Sequence, residues 1–492
     1  MAASRTDPPP PSPQLSGAQA LQLSGAQALQ LSGAQALVRL LQAEGVTQAF
    51  GLVGGKLAPL LKALSESDIR FTGVRHEASA AMMGAAWFAG SGRIAVALGE
   101  MGPGALNLAA GAGVAANNHL ALLLLTTNQH RAAAYPHRGM FMDLDTRALF
   151  APLVKWNAVV HDARRLPELL RTALREALSG APGPVHLDIP QDVLGTLVDW
   201  PAGSLDLPAA CFRAGSGPRP AATAVAEAAA LLRNARRPLL VAGGGVVAAG
   251  AEAPLRALAA RLQAPMLPTQ MALGAVASDS PHFIGQGGLI AGPAARAAAA
   301  QADVVLALGC RFSSWLWDEQ GPWPRGAQAL VNVNLDPSAL GAPAPHTLGI
   351  QADARLALDD LLAALDGSGP TATEPGWLPG LRDARAADAA RLQALADDAE
   401  GRAQGAALHP AALARAIGAA LPADALAVYD GGHTTFWSND LTPVHGVRSR
   451  FHDPGMCQLG FGLPFALALQ RLHPGRPVFN LTGDGSFGFT LV

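Results

Sequence analysis

Residues 69–107 read IRFTGVRHEASAAMMGAAWFAGSGRIAVALGEMGPGALN, and the succession of patterns in this stretch decides the fold class. The apolar run Ile69–Val74 has the length of a strand. Glu77–Ala89 follows, made almost wholly of small apolar residues and long enough for a helix. A second strand-like run, Ile94–Leu98, enters the glycine-rich Gly99–Gly104, and a third apolar run, Ala121–Thr127, comes after it. Strands buried on both sides read as continuous apolar runs, so this alternation predicts a parallel sheet with helices on both faces. Upstream, a helix over 33–44 leads to a short strand, Thr47–Leu52, the Val53-Gly54-Gly55 turn and a helix, Lys56–Ser65. Downstream, GPVHLDIP at 183–190 closes the unit.

The alternation then recurs. A helix at Ala221–Asn234 precedes strands at Pro238–Ala242, Ala302–Leu308 and Leu330–Asn334, closing near Leu365. A last unit starts with the helix Pro410–Leu421 and the strand Leu426–Tyr429, which runs into Asp430-Gly431-Gly432. The predicted fold is α/β, with three doubly wound parallel-sheet domains at 33–194, 221–365 and 406–492, the last incomplete. Residues 195–220, rich in Pro, Gly and Ala, read as a linker, and 366–405 as a second one that is partly helical. Residues 1–32 read as a disordered extension. LSGAQAL recurs at 15–22, 23–30 and 31–38. That period is about 2.2 helical turns, so the copies build no single apolar stripe, and a tandem duplication is the simpler reading.

Half of the 492 residues are hydrophobic and 15% are charged, which is ample material for large buried cores. The 54 Gly and 38 Pro argue against a coiled coil or solenoid. A net charge of -2 gives no electrostatic reason to expect nucleic acid or an anionic membrane as partner. Cys211, Cys310 and Cys457 lie far apart, so neither a disulfide framework nor metal-cluster spacing is present. The start, Met1–Gln14, has no apolar signal region, and Leu120–Leu125 is too short to span a bilayer. A cytoplasmic protein is expected.

Three segments bear on chemistry, each open to two readings. In Arg75–Ala81 a strand delivers Glu77 to the start of a helix, where a carboxylate favours the helix dipole or serves a site. Gly102-Pro103-Gly104 before a helix is a turn, or a place where backbone approaches a ligand. Gly483-Asp484-Gly485-Ser486 after an apolar run is a hairpin, or an Asp placed to hold Mg²⁺ beside phosphate oxygens.

Taken together, the segments resemble the thiamine diphosphate-dependent enzymes, and among them the acetolactate synthase large subunits. The matching stretches are RHEASAA (75–81), GPGALNL (102–108), GPVHLDIPQDV (183–193), VAGGGV (241–246), ADVVLALGCRF (302–312), LGFGLPFALAL (459–469) and GDGSF (483–487), in family order over about 33–492. The resemblance implies a pyrimidine-binding, a central and a diphosphate-binding domain, with thiamine diphosphate and Mg²⁺ as cofactors acting on small 2-keto acids. It assigns Glu77 to the pyrimidine ring, with the small Ala78, Ala80 and Ala81 letting the ring approach. Gly102, Pro103 and Gly104 would line the cofactor, and Leu459 would wedge beneath it. Gly431, Gly432 and His433 would meet the diphosphate together with Gly483, Gly485 and Ser486, and Asp484 would be the first Mg²⁺ ligand. It also implies a homodimer or homotetramer, because the two cofactor-gripping domains come from different subunits.

Several features depart from the family pattern. Phe141-Met142-Asp143 stands where acetolactate synthases carry an aromatic-Gln-Glu run whose Gln helps to select the acceptor. Phe312-Ser313-Ser314-Trp315 lacks the charged run that accompanies flavin binding, so VAGGGV is either a nucleotide (FAD) turn or a structural one. Glu100 precedes the GPG turn in place of a small hydroxyl residue, as an added acid near the substrate or a solvated turn residue. Only Phe487–Val492 follow GDGS, so the chain reads as C-terminally truncated and inactive alone. The leading expectation is acetolactate synthase-like decarboxylation and carboligation. A lyase acting on 2-hydroxyacyl-CoA or oxalyl-CoA, and an inactive nucleotide-binding remnant, are the alternatives.

Overall fold

The computed structural model describes residues 28–491 except 135, 137–138, 317–327, 342–344, 346, 368 and 402–407. The first repeat copy and most of the second therefore lie outside the described residues. The first domain contributes strands Leu29–Ser32 (β1), Gln48–Gly51 (β2), Arg70–Gly73 (β3), Val96–Gly99 (β4), Leu122–Asn128 (β5), Trp156–Val159 (β6), Pro184–Pro190 (β7) and Leu197–Trp200 (β8). Six of them form one parallel sheet in the order β3-β2-β4-β5-β7-β6. Its centre, β5, is buried along its whole length, as an unbroken Leu run between two helical layers requires.

The second domain has Pro238–Ala242 (β9), Met266–Pro268 (β10), Val304–Leu308 (β11), Ala329–Asn334 (β12) and Leu348–Gln351 (β13), all parallel in the order β10-β9-β11-β12-β13. The third has Leu426–Tyr429 (β14), Arg450–Phe451 (β15) and Val478–Leu481 (β16), parallel in the order β15-β14-β16. Strand order reverses at β14, and ligands of open α/β sheets bind outside the carboxyl ends of strands at such a switch point.

The first and third domains share a hydrophobic core. Phe50, Trp87, Leu122, Leu124 and Phe150 from the first pack in one cluster with Leu426, Val428, Phe451, Phe461, Phe465 and Leu469 from the third. Helix Gly462–Leu472 lies along helix Glu77–Ser91, and a Cβ at Gly90 would fall 2.7 Å from Leu469 Cδ2. Helix Pro103–Asn117 packs still closer on Glu77–Ser91. A Cβ at Gly111 would sit 2.4 Å from the Ala81 Cβ and 2.8 Å from the Ala78 carbonyl oxygen. Ala80 and Ala81 are fully buried. The small size of Ala81 serves this helix packing.

Three boundaries need correction. The extension assigned to 1–32 ends in structure: β1 pairs antiparallel with β8, Leu31 opposite Val198. Ser32 then caps the helix Gly33–Ala43, accepting from the Gln35 N–H while Gln35 Oε1 accepts from the Ser32 N–H. The Ser-x-x-Gln spacing within the last repeat copy is thus a capping box. The linker at 195–220 holds β8 and is tied to the first domain by the ion pair Arg213–Glu44. The linker at 366–405 is mostly the helix Trp377–Gly401, whose Trp377, Leu378 and Leu381 join the core of the second domain.

Candidate functional site

Strand β3 ends at Gly73, and His76 turns the chain into the next helix, its Nδ1 accepting from the Ala78 N–H. Glu77 is the first helical residue and is 95% buried, its exposure being only 5%. Such a burial is costly for a carboxyl group without partners. Asn107 Nδ2 donates to Glu77 Oε2 at 2.9 Å. The other oxygen, Oε1, faces Gly104, where a Cβ would come within 3.1 Å of it.

The glycines of the GPG turn have distinct reasons. Gly102 sits at φ 65°, and a Cβ there would fall 2.9 Å from the Met142 carbonyl oxygen. Pro103 opens the helix, where its missing N–H costs nothing. Gly104 leaves a notch between Glu77 and Glu100. Glu100 itself is half-buried and its Oε1 accepts from the Lys56 N–H at 2.9 Å. It holds the Gly54–Lys56 turn, so it is engaged with the backbone while standing beside the Gly104 notch. Met142 is in the left-handed region at φ 60°, and Gln129 Nε2 donates to the Phe141 carbonyl at 2.5 Å, so this loop is pinned over the GPG turn.

In the third domain, Gly431, Gly432, His433, Leu459 and Gly483–Ser486 gather at the carboxyl ends of β14 and β16. Gly432 has φ 89° and caps the helix His433–Leu441, leaving Gly432 and His433 exposed. Leu459 is 39% exposed and its Cδ2 lies 2.9 Å from where a Gly431 Cβ would be. Ordinary core packing therefore does not account for it. Gly460, at φ 82°, is crowded by Phe489 and by the Ser486 carbonyl oxygen. GDGS forms no hairpin: β16 runs into a helix, Asp484–Thr490.

Sequence reasoning missed the residue that holds these loops together. Asp430 is fully buried, and its Oδ1 accepts from the N–H groups of Gly431 (2.7 Å) and Gly460 (3.0 Å). Its Oδ2 accepts from the Gly462 N–H (3.2 Å) and the Thr482 hydroxyl (3.0 Å). One carboxylate thereby draws together the turn after β14, the turn carrying Leu459 and the chain leading to Asp484. The signal available was Asp directly before Gly-Gly at a strand end. His452, also missed, is buried at the end of β15. Its Nδ1 lies 3.0 Å from the Tyr429 carbonyl, which can only accept, so Nδ1 carries the proton and Nε2 is an acceptor with no hydrogen-bond partner among the described residues. Burial pushes its pKa down.

The residues fit the implied cofactors. Glu77 offers one unengaged oxygen over a notch that any Cβ would fill, and Leu459 stands exposed beside Gly431. Among the described residues no group of three or more His, Cys, Asp and Glu could hold a metal. Asp484, exposed at the end of β16, thus offers a single carboxylate, and Mg²⁺ bound with substrate or cofactor phosphates needs only one or two. VAGGGV reads differently: Cβ atoms at Gly243 and Gly245 would fall 2.1 Å from the Gly309 carbonyl oxygen and 2.7 Å from its Cα. Close backbone packing accounts for those glycines without a nucleotide.

Comparison with known proteins agrees across the chain. Residues 31–149 match the model of the thiamine pyrophosphate enzyme N-terminal TPP binding domain, 225–361 the central domain, and 430–492 the C-terminal TPP binding domain. A probable 2-ketoarginine decarboxylase of Pseudomonas aeruginosa is 35% identical over 458 residues, covering 92% of this chain and 77% of its own length. A sulfoacetaldehyde acetyltransferase of Rhodobacter capsulatus is 32% identical over 471 residues, covering 92% and 78%. A probable acetolactate synthase large subunit of Methanocaldococcus jannaschii is 30% identical over 453 residues, covering 92% and 75%.

Proposed function

This chain belongs to the thiamine pyrophosphate enzyme family, and from that premise we propose that it decarboxylates small 2-keto acids and passes the remaining acyl unit to an acceptor. The observation that carries the reading is Glu77, buried and anchored through one oxygen with the other facing the Gly104 notch. Once bound, the cofactor supplies the nucleophilic carbon and electron sink for loss of carbon dioxide. Glu77 Oε1 holds the proton shared with the pyrimidine ring, in a site whose low dielectric strengthens that hydrogen bond. Leu459 would support the bound cofactor, and Gly102 and Gly104 would leave room for it. The turn Gly431–His433 and residues Gly483, Gly485 and Ser486 receive the diphosphate, with Mg²⁺ on Asp484. FAD is not required by this reading.

Met142 occupies the position of an amide side chain that selects the acceptor in acetolactate synthases. An apolar side chain there favours an acceptor other than a second 2-keto acid. The relatives themselves differ in this respect, as their names state.

A homodimer or homotetramer is part of the proposal. Contacts joining the first and third domains lie at Gly90, about 20 Å along the helix that Glu77 begins, and at Asn118, at the far end of the helix that carries Gly104. That distance supports a site completed by a second subunit, as do the exposed apolar Leu106, Leu459, Leu467 and Phe489. No helix among the described residues is long and apolar enough to cross a membrane. A cytoplasmic setting is supported by three cysteines that are all free.

The test is carbon dioxide release and product analysis with pyruvate and longer 2-keto acids, in the presence of thiamine diphosphate and Mg²⁺. Turnover of these acids supports the reading. Cleavage of 2-hydroxyacyl-CoA or oxalyl-CoA with no action on 2-keto acids overturns it.

A further inference from the structure

Helices Glu77–Ser91 and Pro103–Asn117 meet in rungs one turn apart. Gly111 meets Ala81, and four residues earlier on each helix Asn107 meets Glu77. Residues four apart share a helix face, so the close approach at Gly111 fixes the reach of Asn107 to the carboxylate. Asn107 donates through Nδ2, and an oxygen of Glu77 that bears no proton is a stronger acceptor for that N–H than a carboxyl O–H oxygen would be. The bond therefore favours a proton on Oε1, the oxygen over the Gly104 notch. The other charged group near the notch is Glu100. Its Cβ would be 3.3 Å from a Gly104 Cβ, while its carboxylate is taken up by the Lys56 N–H. His76 presents an Nδ1 lone pair to the Ala78 N–H and so offers Glu77 no competing donor there.

We propose that Asn107 is a positioning residue that divides the two oxygens of Glu77, anchoring Oε2 and reserving Oε1 for the proton exchanged with the pyrimidine ring. The inference rests on Glu77 meeting the cofactor, as set out above. It differs from a structural role because it predicts coupling between Asn107 and one atom of the ligand.

The experiment is calorimetric titration of the full chain with Mg²⁺ and either thiamine diphosphate or an analogue with C–H in place of the ring nitrogen that meets Glu77. Asn107→Leu and Asn107→Asp are compared with the unmodified chain. Both variants lack the donor and nearly preserve volume, and the melting temperature of each without ligand reports on folding. Loss of a hydrogen bond to a charged group predicts thiamine diphosphate binding weakened roughly 10- to 100-fold, with the analogue changed less than about twofold. Equal weakening of both ligands, or of neither, overturns the assignment of Asn107. Failure of the unmodified chain to bind thiamine diphosphate counts instead against the cofactor reading of Glu77.

Discussion

Asn118, which caps the helix Pro103–Asn117 in the first domain, donates its Nδ2 to the Asp453 carboxylate of the third domain at 2.5 Å. The same amide accepts from the Gly455 N–H through its oxygen, and Asp453 also receives the N–H groups of Met456 and Gln458. Both side chains are buried. This joint therefore couples the seating of the two domains to the loop that delivers Leu459. Asn118→Leu is expected to cost about 1–3 kcal/mol, because it leaves Asp453 and the Gly455 N–H short of partners. Chemical denaturation followed by calorimetric titration checks it: the variant should be less stable and should bind thiamine diphosphate more weakly.

Asp430 is the next test. Asn in its place would set an amide N–H against a backbone N–H, whichever way the side chain is turned, since both oxygens accept. Asp430→Asn should destabilise the protein by about 1–3 kcal/mol and should abolish the rise in melting temperature that thiamine diphosphate and Mg²⁺ produce. An unchanged ligand-dependent rise would show that the three loops do not depend on this carboxylate.

Acid stability should be governed in part by His186. It is fully buried under Phe150, with ring centroids 4.3 Å apart, and burial lowers its pKa to about 3. The unfolded chain takes up a proton near the ordinary value of about 6.5 while the folded chain refuses it until about 3. Stability from this group is therefore complete above pH 6.5 and falls as pH drops, by up to about 1.4 kcal/mol per unit. Asp188, raised by burial, acts oppositely: its contribution is complete below about 3.8 and is lost as pH rises through its folded value. Denaturation midpoints of the parent between pH 7 and 5 should fall more steeply than those of His186→Gln. Parallel curves would show that another group sets the acid response.

The helix contact at Gly111 makes a fourth prediction. Gly111→Ala places a methyl group where the Ala81 Cβ and the Ala78 carbonyl already stand, so the helices must part. Overpacking of this kind costs about 1–3 kcal/mol. The rung four residues away should loosen with it, weakening the Asn107–Glu77 bond. Thermal unfolding reads the first effect and cofactor titration the second.

Much of this was legible in the sequence, for reasons that separate local from distant signals. The alternation around Glu77 and the GPG turn lies within forty residues and is dictated by burial on both sheet faces. Motifs alone single out Glu77, Leu459 and Asp484 as candidates. By contrast, β8 was hidden in a Pro- and Gly-rich stretch because its partner, β1, is far away in the chain, Leu29 pairing with Trp200. Strand β15 has two residues and no periodicity to read. Asn107 stands within the quoted GPGALNL, yet its partner is visible only when the two helices are laid side by side. Asp430 was quoted as part of a turn, and its four donors come from three separate loops.

The shared core of the first and third domains has a consequence for biosynthesis. Met82, Trp87 and Leu122 leave the ribosome well before Phe461, Phe465 and Leu469, which cover the same cluster. At about 5–20 residues per second, the interval is on the order of tens of seconds. Through that time the nascent first domain presents an uncovered apolar face. A chaperone that shields nascent chains should therefore matter most during synthesis of the second domain.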